Sequence, residues 1–434
     1  MSSRAALSGP VEYYPLTTAQ RRHLSSLSTP RDSGTASYTH YFSWRISGEL
    51  DVPRFIGAVR KTVDAYDALR IGLSPSDPGR QWVRAVPDGR SLITCERVNC
   101  ASEAIFDGYV KRILAREIST AWALDARYPF TFHLLQYSPR LHAFVAAFSH
   151  LSLDYRGREL VKADIWRRFV CPPDSDAADH SQSLGGLRFV DAAERSGENT
   201  SARHRADAYW AAKKKALPAK EGARNTDEKP GRLDDTACWL RVTGAALDAL
   251  RTRARQRRAT EFHLLMAAVG AAIFDFVPQD SIVVAVPVDT RALAETEVPG
   301  MYAVVLPVLL RRSDPDSLLA QARDELLGLV KHRNLSAEAL TDLHDGSVDT
   351  GGGIAFTYVV EPDGEPIAAG AAGVVADESY YSPQVARVSS GIGLIAISRN
   401  DILELQVVLN PDLFSESDAR TFMHTLERRL GSNG

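Results

Sequence analysis

The chain has 434 residues, with 51 Lys and Arg against 54 Asp and Glu, a formal net charge of -3, and 44% apolar and 24% charged residues. This composition is that of a globular protein; it excludes a disordered or fibrous chain and a nucleic-acid binder that relies on a broad basic face. The length predicts about three units of about 150 residues, or two large lobes with ample core.

The longest apolar run, Leu264 to Phe274, stops at Asp275 and is shorter than the roughly 20 residues that span a bilayer. The start, Met1 to Pro10, has one basic residue and no apolar stretch, so no secretory leader is expected. Cys95, Cys100, Cys171 and Cys238 are too few and too scattered for a disulfide framework or a zinc site. The expectation is a cytoplasmic enzyme or binding protein with free thiols, no membrane contact and no nucleic-acid partner.

After a loose tail of ten residues, Thr17 or Thr18 can cap a short helix beginning near Ala19. Tyr38 to Ser47 alternates, with Phe42, Trp44 and Ile46 on one face of a strand. Gly48 to Asp51 turns into a helix with Asp51 as N-cap, Pro53 in the first turn, and an apolar stripe from Val52 to Leu69. Ile105, Tyr109, Ile113, Leu114 and Ile118 predict a second amphipathic helix. Leu134 to Gln136 and His142 to Phe148 predict paired strands joined at Ser138-Pro139-Arg140. The second strand runs into the polar cluster Ser149 to Asp154, a place where chemistry tends to sit.

Residues 173–187 read as a polar loop, a helix surrounds Tyr209-Trp210, and 213–235 reads as a surface linker. Beyond it, helices are expected over Leu247 to Arg253, Phe262 to Phe274 and Leu318 to Val330. Strands are expected over Ile282 to Val288, Ala303 to Leu310, Ile354 to Val360, Leu394 to Ser398 and Leu403 to Leu409. A capping box, Ser415 to Asp418, opens a last helix. The order predicts two lobes, each a sheet backed by helices.

Several segments in this order resemble the motifs of one family. Pro15-Leu16-Thr17-Thr18-Ala19-Gln20 resembles "P-L-S-x-A-Q", and Gly48 to Asp51 with Tyr66 to Arg70 resembles "G-x-L-D … R-H-E-x-L-R". Ser149-His150-Leu151-Ser152-Leu153-Asp154-Tyr155 stands where the family has "H-H-x-x-x-D-G". Tyr209-Trp210, Pro287 to Arg291, Gly300-Met301-Tyr302 with Leu306-Pro307, and Asn410 to Phe414 follow at matching places. The chain, from about Val11 to Leu430, thus resembles the condensation domain of nonribosomal peptide synthetases, within the chloramphenicol-acetyltransferase-like acyltransferase superfamily.

The resemblance implies an α/β fold of two acetyltransferase-like α+β sandwich lobes in a V around a central tunnel. Its division would be 11–187 for the lobe carrying the His150 motif, 188–235 for a crossover helix and linker, and 236–434 for the second lobe. It implies that His150 faces the tunnel as general base or hydrogen-bonding anchor, a role that suits an imidazole titrating near neutrality. Read alone, a histidine after a strand is more often a satisfied core group. The resemblance further implies a salt bridge between Asp154 and Arg291 that shapes the catalytic loop; two ordinary surface charges are the alternative.

Three positions depart from the pattern. Ser149 replaces the first motif histidine and is expected to be mainly structural. Tyr155 replaces a glycine that would permit positive φ and close approach to the thioester, so either the backbone has relaxed or the ring reshapes the tunnel. Val304 replaces an asparagine. Ser149, Tyr155 and Tyr302 are candidate tunnel residues.

Other constellations are weaker. His142 and His150 have no third ligand at metal spacing, so no metal is expected. Gly351-Gly352-Gly353 precedes a strand and is no phosphate loop. Leu184-Gly185-Gly186-Leu187 lacks the serine that takes phosphopantetheine. Arg251, Arg253, Arg255, Arg257 and Arg258 form either a solvated helix face or a contact for an acidic carrier or a CoA phosphate.

With no adenylation, carrier or thioesterase segment visible, the sequence reads as a free-standing, monomeric condensation enzyme of natural-product biosynthesis. The resemblance implies that it binds no cofactor itself and takes an acyl or aminoacyl thioester from the phosphopantetheine arm of a carrier protein in trans. An amine acceptor, either a free small molecule or bound to a second carrier, would receive it as an amide. The alternatives are ester formation or transfer from acyl-CoA, and a catalytically silent module that recruits carrier or tailoring proteins.

Overall fold

The computed structural model describes residues 12–27, 39–77, 79–119, 122–171, 186–198, 200–218, 237–347, 353–361, 373–378, 391–411 and 413–431. The N-terminal tail, residues 173–185 of the expected loop, 219–235 of the expected linker, Gly351, Gly352 and Asp412 lie outside them. The described chain forms two compact units, each considered by itself.

The first unit contains the described residues of 1–199, 291–302 and 365–383. The last two segments stand in the second lobe in the linear reading and belong to this unit in space. Its elements are β1 (Tyr14–Pro15), α1 (Thr18–Leu27), β2 (Thr39–Ser47), α2 (Val52–Ala65), β3 (Ile71–Leu73), β4 (Arg80–Val83), β5 (Thr94–Arg97), α3 (Glu103–Ser119), β6 (Phe130–Ser138), β7 (Leu141–Ser149), α4 (Tyr155–Val170) and α5 (Ala192–Glu198). A late strand, Val375–Asp377 (β12 in chain order), completes it.

Five of these strands form one sheet in the order β12-β2-β7-β6-β5, antiparallel except where β5 runs parallel to β6. Phe42, Trp44, Phe132, Phe144 and Phe148 form an aromatic layer on one face, against Phe55 of α2 and Trp166 of α4. Leu135, Ala143 and Val145 face the other way, onto Phe106, Val110 and Leu114 of α3. With both faces covered, every residue of β7 is buried, so its stretch from Ala143 to Phe148 is apolar throughout and does not alternate.

The predicted face of α3 needs correction. The helix buries Phe106, Val110, Ile113 and Leu114, and leaves Ile105 52% exposed. The start of α2 follows expectation: the Asp51 side chain accepts from the Arg54 N–H and Pro53 occupies the first turn.

The second unit holds α6 (Thr200–Lys214), β8 (Ala237–Thr243), α7 (Gly244–Gln256), α8 (Glu261–Phe276), β9 (Ser281–Asp289), β10 (Ala303–Arg311), α9 (Pro315–Lys331), α10 (Ala337–Ser347), β11 (Ile354–Val360), β13 (Ile392–Ser398), β14 (Ile402–Leu409) and α11 (Glu416–Leu430). Its sheet has the order β10-β9-β11-β13-β14-β8, with β11 parallel to β9 and β13. α8 is apolar on all sides because it is buried on nearly all sides, from Leu264 to Phe274. Among the described residues no single helix is long and apolar enough to cross a membrane.

Trp210 of α6 donates to the His332 carbonyl at 2.7 Å, and the Tyr209 ring stacks on His332. The basic run of α7 is largely engaged within this unit. Arg251 bonds Glu261 and the Arg399 carbonyl, Arg253 the Leu430 carbonyl, Arg255 Thr252, and Arg257 pairs with Asp316. That favours a structural role for the run over a carrier contact.

Candidate active site

The candidate site lies in the first unit, in the turn between β7 and α4. Ser149 ends β7 and organises the turn: its carbonyl accepts from Ser152 and Leu153, and its hydroxyl accepts from the Leu151 N–H. Its own N–H donates to the Pro129 carbonyl, and the residue is buried. The serine therefore supports the loop.

His150 is half-buried. Its Nδ1 lies 3.0 Å from the Leu153 carbonyl oxygen. A carbonyl can only accept, so Nδ1 carries the hydrogen, and in the neutral ring the basic lone pair is on Nε2. Burial lowers the pKa of this imidazole, against the opposing pull of the Leu153 carbonyl and the Asp154 charge. The ring is thus a neutral base at neutral pH, held by a backbone oxygen three residues on.

Asp154 closes the loop and is fully engaged. It caps α4 by accepting from the Gly157 N–H at 2.7 Å, and it accepts from the Tyr302 N–H at 3.0 Å. The Arg291 guanidinium grips both carboxylate oxygens, at 2.7 and 2.9 Å. Arg291 also donates to the carbonyls of Val298 and Gly300, and its guanidinium lies 4.2 Å over the Tyr302 ring. Burial pushes the Asp154 carboxyl up, but the Arg291 charge and the N–H donors outweigh it and hold the pKa below the ordinary range. Tyr302 is buried, with its ring against Arg291 and Phe189.

Tyr155 is the first residue of α4, and among the described residues the one non-glycine with positive φ is Arg258. Tyrosine here needs no unusual backbone. Its ring carries the Arg158 guanidinium at 4.3 Å. The glycines that matter are Gly157 and Gly300. A Cβ on Gly157 would meet the Gly300 backbone at 2.9 Å, and one on Gly300 would meet the Phe189 ring at 2.1 Å. The first turn of α4 can reach the 300 segment because Gly157 has no side chain, and Phe189 can pack there because Gly300 has none.

The opening motif is explained by the same loop. Thr17 and Gln20 cap α1 reciprocally, each side chain accepting from the other's backbone N–H. Gln20 then donates to the Leu151 carbonyl at 3.1 Å and to Gln81 at 2.8 Å. One turn later on the same helix, His23 meets the His150 ring. His40 of β2 meets it from another side. Neither histidine carries a motif signal. The one hint for His40 was a polar residue continuing the buried face of Phe42, Trp44 and Ile46. Among the described residues no group of three or more His, Cys, Asp or Glu could hold a metal ion.

Comparison with known proteins gives the family and the fold. The family model "Condensation domain" matches residues 11–431. The chain is 22% identical over 290 residues to "Hybrid PKS-NRPS synthetase thnA" of Trichoderma harzianum, covering 64% of this chain and 7% of that protein. It is 24% identical over 299 residues to "Hybrid PKS-NRPS synthetase iliA" of Neonectria sp. (strain DH2), covering 66% of this chain and 7% of that protein. It therefore spans a small fraction of the curated relatives it matches. Among solved structures, the X-domain in the complex of the X-domain and OxyB from teicoplanin biosynthesis is similar with a TM-score of 0.75 at 16% identity, over 100% of this chain and 97% of that one. The starter condensation domain of rhizomide synthetase RzmA is similar with a TM-score of 0.71 at 17% identity, over 97% of each chain.

Proposed function

The chain belongs to the condensation domain family, and from that premise we propose that it forms an amide bond between a carrier-bound acyl or aminoacyl thioester and an amine, with His150 as the residue that meets the amine. The observation that carries this reading is the tautomer of a half-buried imidazole: Leu153 holds the Nδ1–H, which puts the basic lone pair on Nε2. In the proposed step the amine nitrogen attacks the thioester carbonyl carbon. The new C–N bond forms, the amine proton passes to Nε2, the C–S bond breaks, and the pantetheine thiolate leaves and takes up a proton. The chain itself supplies the base and the fixed loop around it. The pantetheine thiol is substrate, delivered by a carrier protein or as CoA.

A second reading is a recruiting module without chemistry. It is favoured by the full-length likeness to the X-domain, which was solved in complex with OxyB, and by Ser149 and Tyr155 at two motif positions. Intact-mass detection separates the readings. Acyl-loaded carrier proteins and acyl-CoA are offered in parallel with amine and hydroxyl acceptors. Loss of the acyl group from a carrier with a new amide product supports the first reading. Transfer from CoA alone, or to hydroxyls alone, revises donor or bond type. No transfer with any donor, together with retained carrier binding, supports the second.

A further inference from the structure

Three imidazoles from three elements meet at the candidate site. The His23 ring centroid lies 4.9 Å from that of His150, tilted by 51°. The His40 ring meets His150 edge-on at 4.2 Å and 76°. His40 pairs in register with Phe148 and Thr39 with Ser149, which brings His40 to the end of β7 where the loop carrying His150 begins. Gln20 fixes α1 to the Leu151 carbonyl, which sets His23 beside the same loop. His40 Nε2 is buried and has no hydrogen-bond partner among the described residues.

We propose that His23 and His40 are positioning residues that clamp the His150 ring in the tautomer protonated at Nδ1, keeping Nε2 as the basic nitrogen for the proton of the attacking group. The proposal rests on the reading of His150 as the reactive imidazole and adds two residues that no motif marks. The bond from Nδ1 to Leu153 selects the tautomer, but a hydrogen bond does not by itself fix the plane of the ring. An edge contact on one side and a tilted ring on the other do.

The charges around the cluster disfavour a proton on His23 and His40, while Asp154 favours one on His150. From α1 come His23 and Arg22, from β2 His40, and from α4 Arg158, which is paired with Glu159 near Lys162 and Glu378. From the loop comes Asp154, neutralised by Arg291. Burial, then the charge of His150, hold both His23 and His40 well below the ordinary imidazole pKa. His150 therefore takes up a proton before its two neighbours, and above its midpoint all three rings are neutral.

The test is a histidine titration of the full chain by NMR without substrate, in wild type, His40→Phe, His40→Ala and His23→Ala, with the His150 signal assigned by its loss in His150→Gln. The wild-type ring is expected to show the Nδ1–H tautomer and a midpoint below 6.5. His40→Phe keeps the ring edge and should leave both unchanged. His40→Ala and His23→Ala should mix the tautomers and raise the midpoint by about half a pH unit as water reaches the ring. His40→Leu, which fills the space without a ring edge, replaces His40→Ala if that variant does not fold. The acid limb of condensation should move up by the same amount. Unchanged tautomer and midpoint in the truncations, or a His40→Phe shift as large as that of His40→Ala, would overturn the clamp. Absent condensation with the NMR pattern intact would instead sink the amide-forming reading and leave the clamp standing.

Discussion

The loop from Ser149 to Asp154 has two ends of opposite character. At Asp154 both carboxylate oxygens are bonded to Arg291 and to backbone N–H groups, four hydrogen bonds from three residues. At His150, four residues earlier, one ring nitrogen donates to a backbone carbonyl and the other holds the basic lone pair, next to His40 and His23. Charge-assisted bonding that stabilises the loop is concentrated at one end, and the capacity to react at the other. A fixed anchor lets a reactive ring sit in a defined place while the carboxylate, not the imidazole, carries the ion pair.

The sharpest way to break this contrast is to unpair the anchored end. Arg291→Leu leaves a buried carboxylate without its partner and should cost about 3–5 kcal/mol in urea melts. A loss below about 1 kcal/mol would show that the anchored end is not a stability element. Gly300→Ala tests the same end through packing. With Phe189 in the way of the new Cβ, about 1–3 kcal/mol of destabilisation is expected from the same melts.

The pH dependence of stability should divide the two ends. The lowered histidines at the reactive end have folded pKa values below their unfolded value of 6.5. The unfolded chain therefore binds more protons as pH falls below about 6.5, and stability declines with acid there. Asp154 has a folded pKa below its unfolded value of 3.8. Its contribution is present above 3.8 and is lost only as pH falls from there through the folded value. Melts at pH 7, 5.5 and 4.5 should show a decline that His40→Phe reduces and Arg291→Leu does not. The smallest effect is that of His40→Phe at pH 7. Replacing a ring whose Nε2 has no partner among the described residues should leave stability unchanged or raise it by less than about 1 kcal/mol.

Much of the fold was legible because periodicity and burial agree. The stripe of α9, Leu318, Leu319, Ala322, Leu326 and Leu329, is buried residue for residue as its spacing predicts. α4 was missed for a physical reason. Lys162 and Asp164 are buried among Val161, Ile165 and Trp166 because ion pairs with Glu159, Glu378, Arg167 and Arg168 offset their charge, so the apolar stripe is interrupted. β8 escaped notice because it alternates with polar residues and turns Trp239 outward, 56% exposed.

At the site, the loop itself was readable as a polar cluster after an apolar strand. Arg291 was reachable only through the family resemblance, since 137 residues separate it from Asp154. The return of the 291–302 segment to the first unit follows from the same pair and could not be read from a linear division. His23 and His40 were not readable, because only the docking of α1 and the register of β2 bring them to His150.

The most direct measurement is the rate of amide formation from a loaded carrier by wild type and His150→Ala, read by intact mass, with melting curves for both. The account predicts a loss of about 10²–10⁴-fold in rate with the melting curve nearly unmoved. Product formation at the wild-type rate in His150→Ala would contradict it.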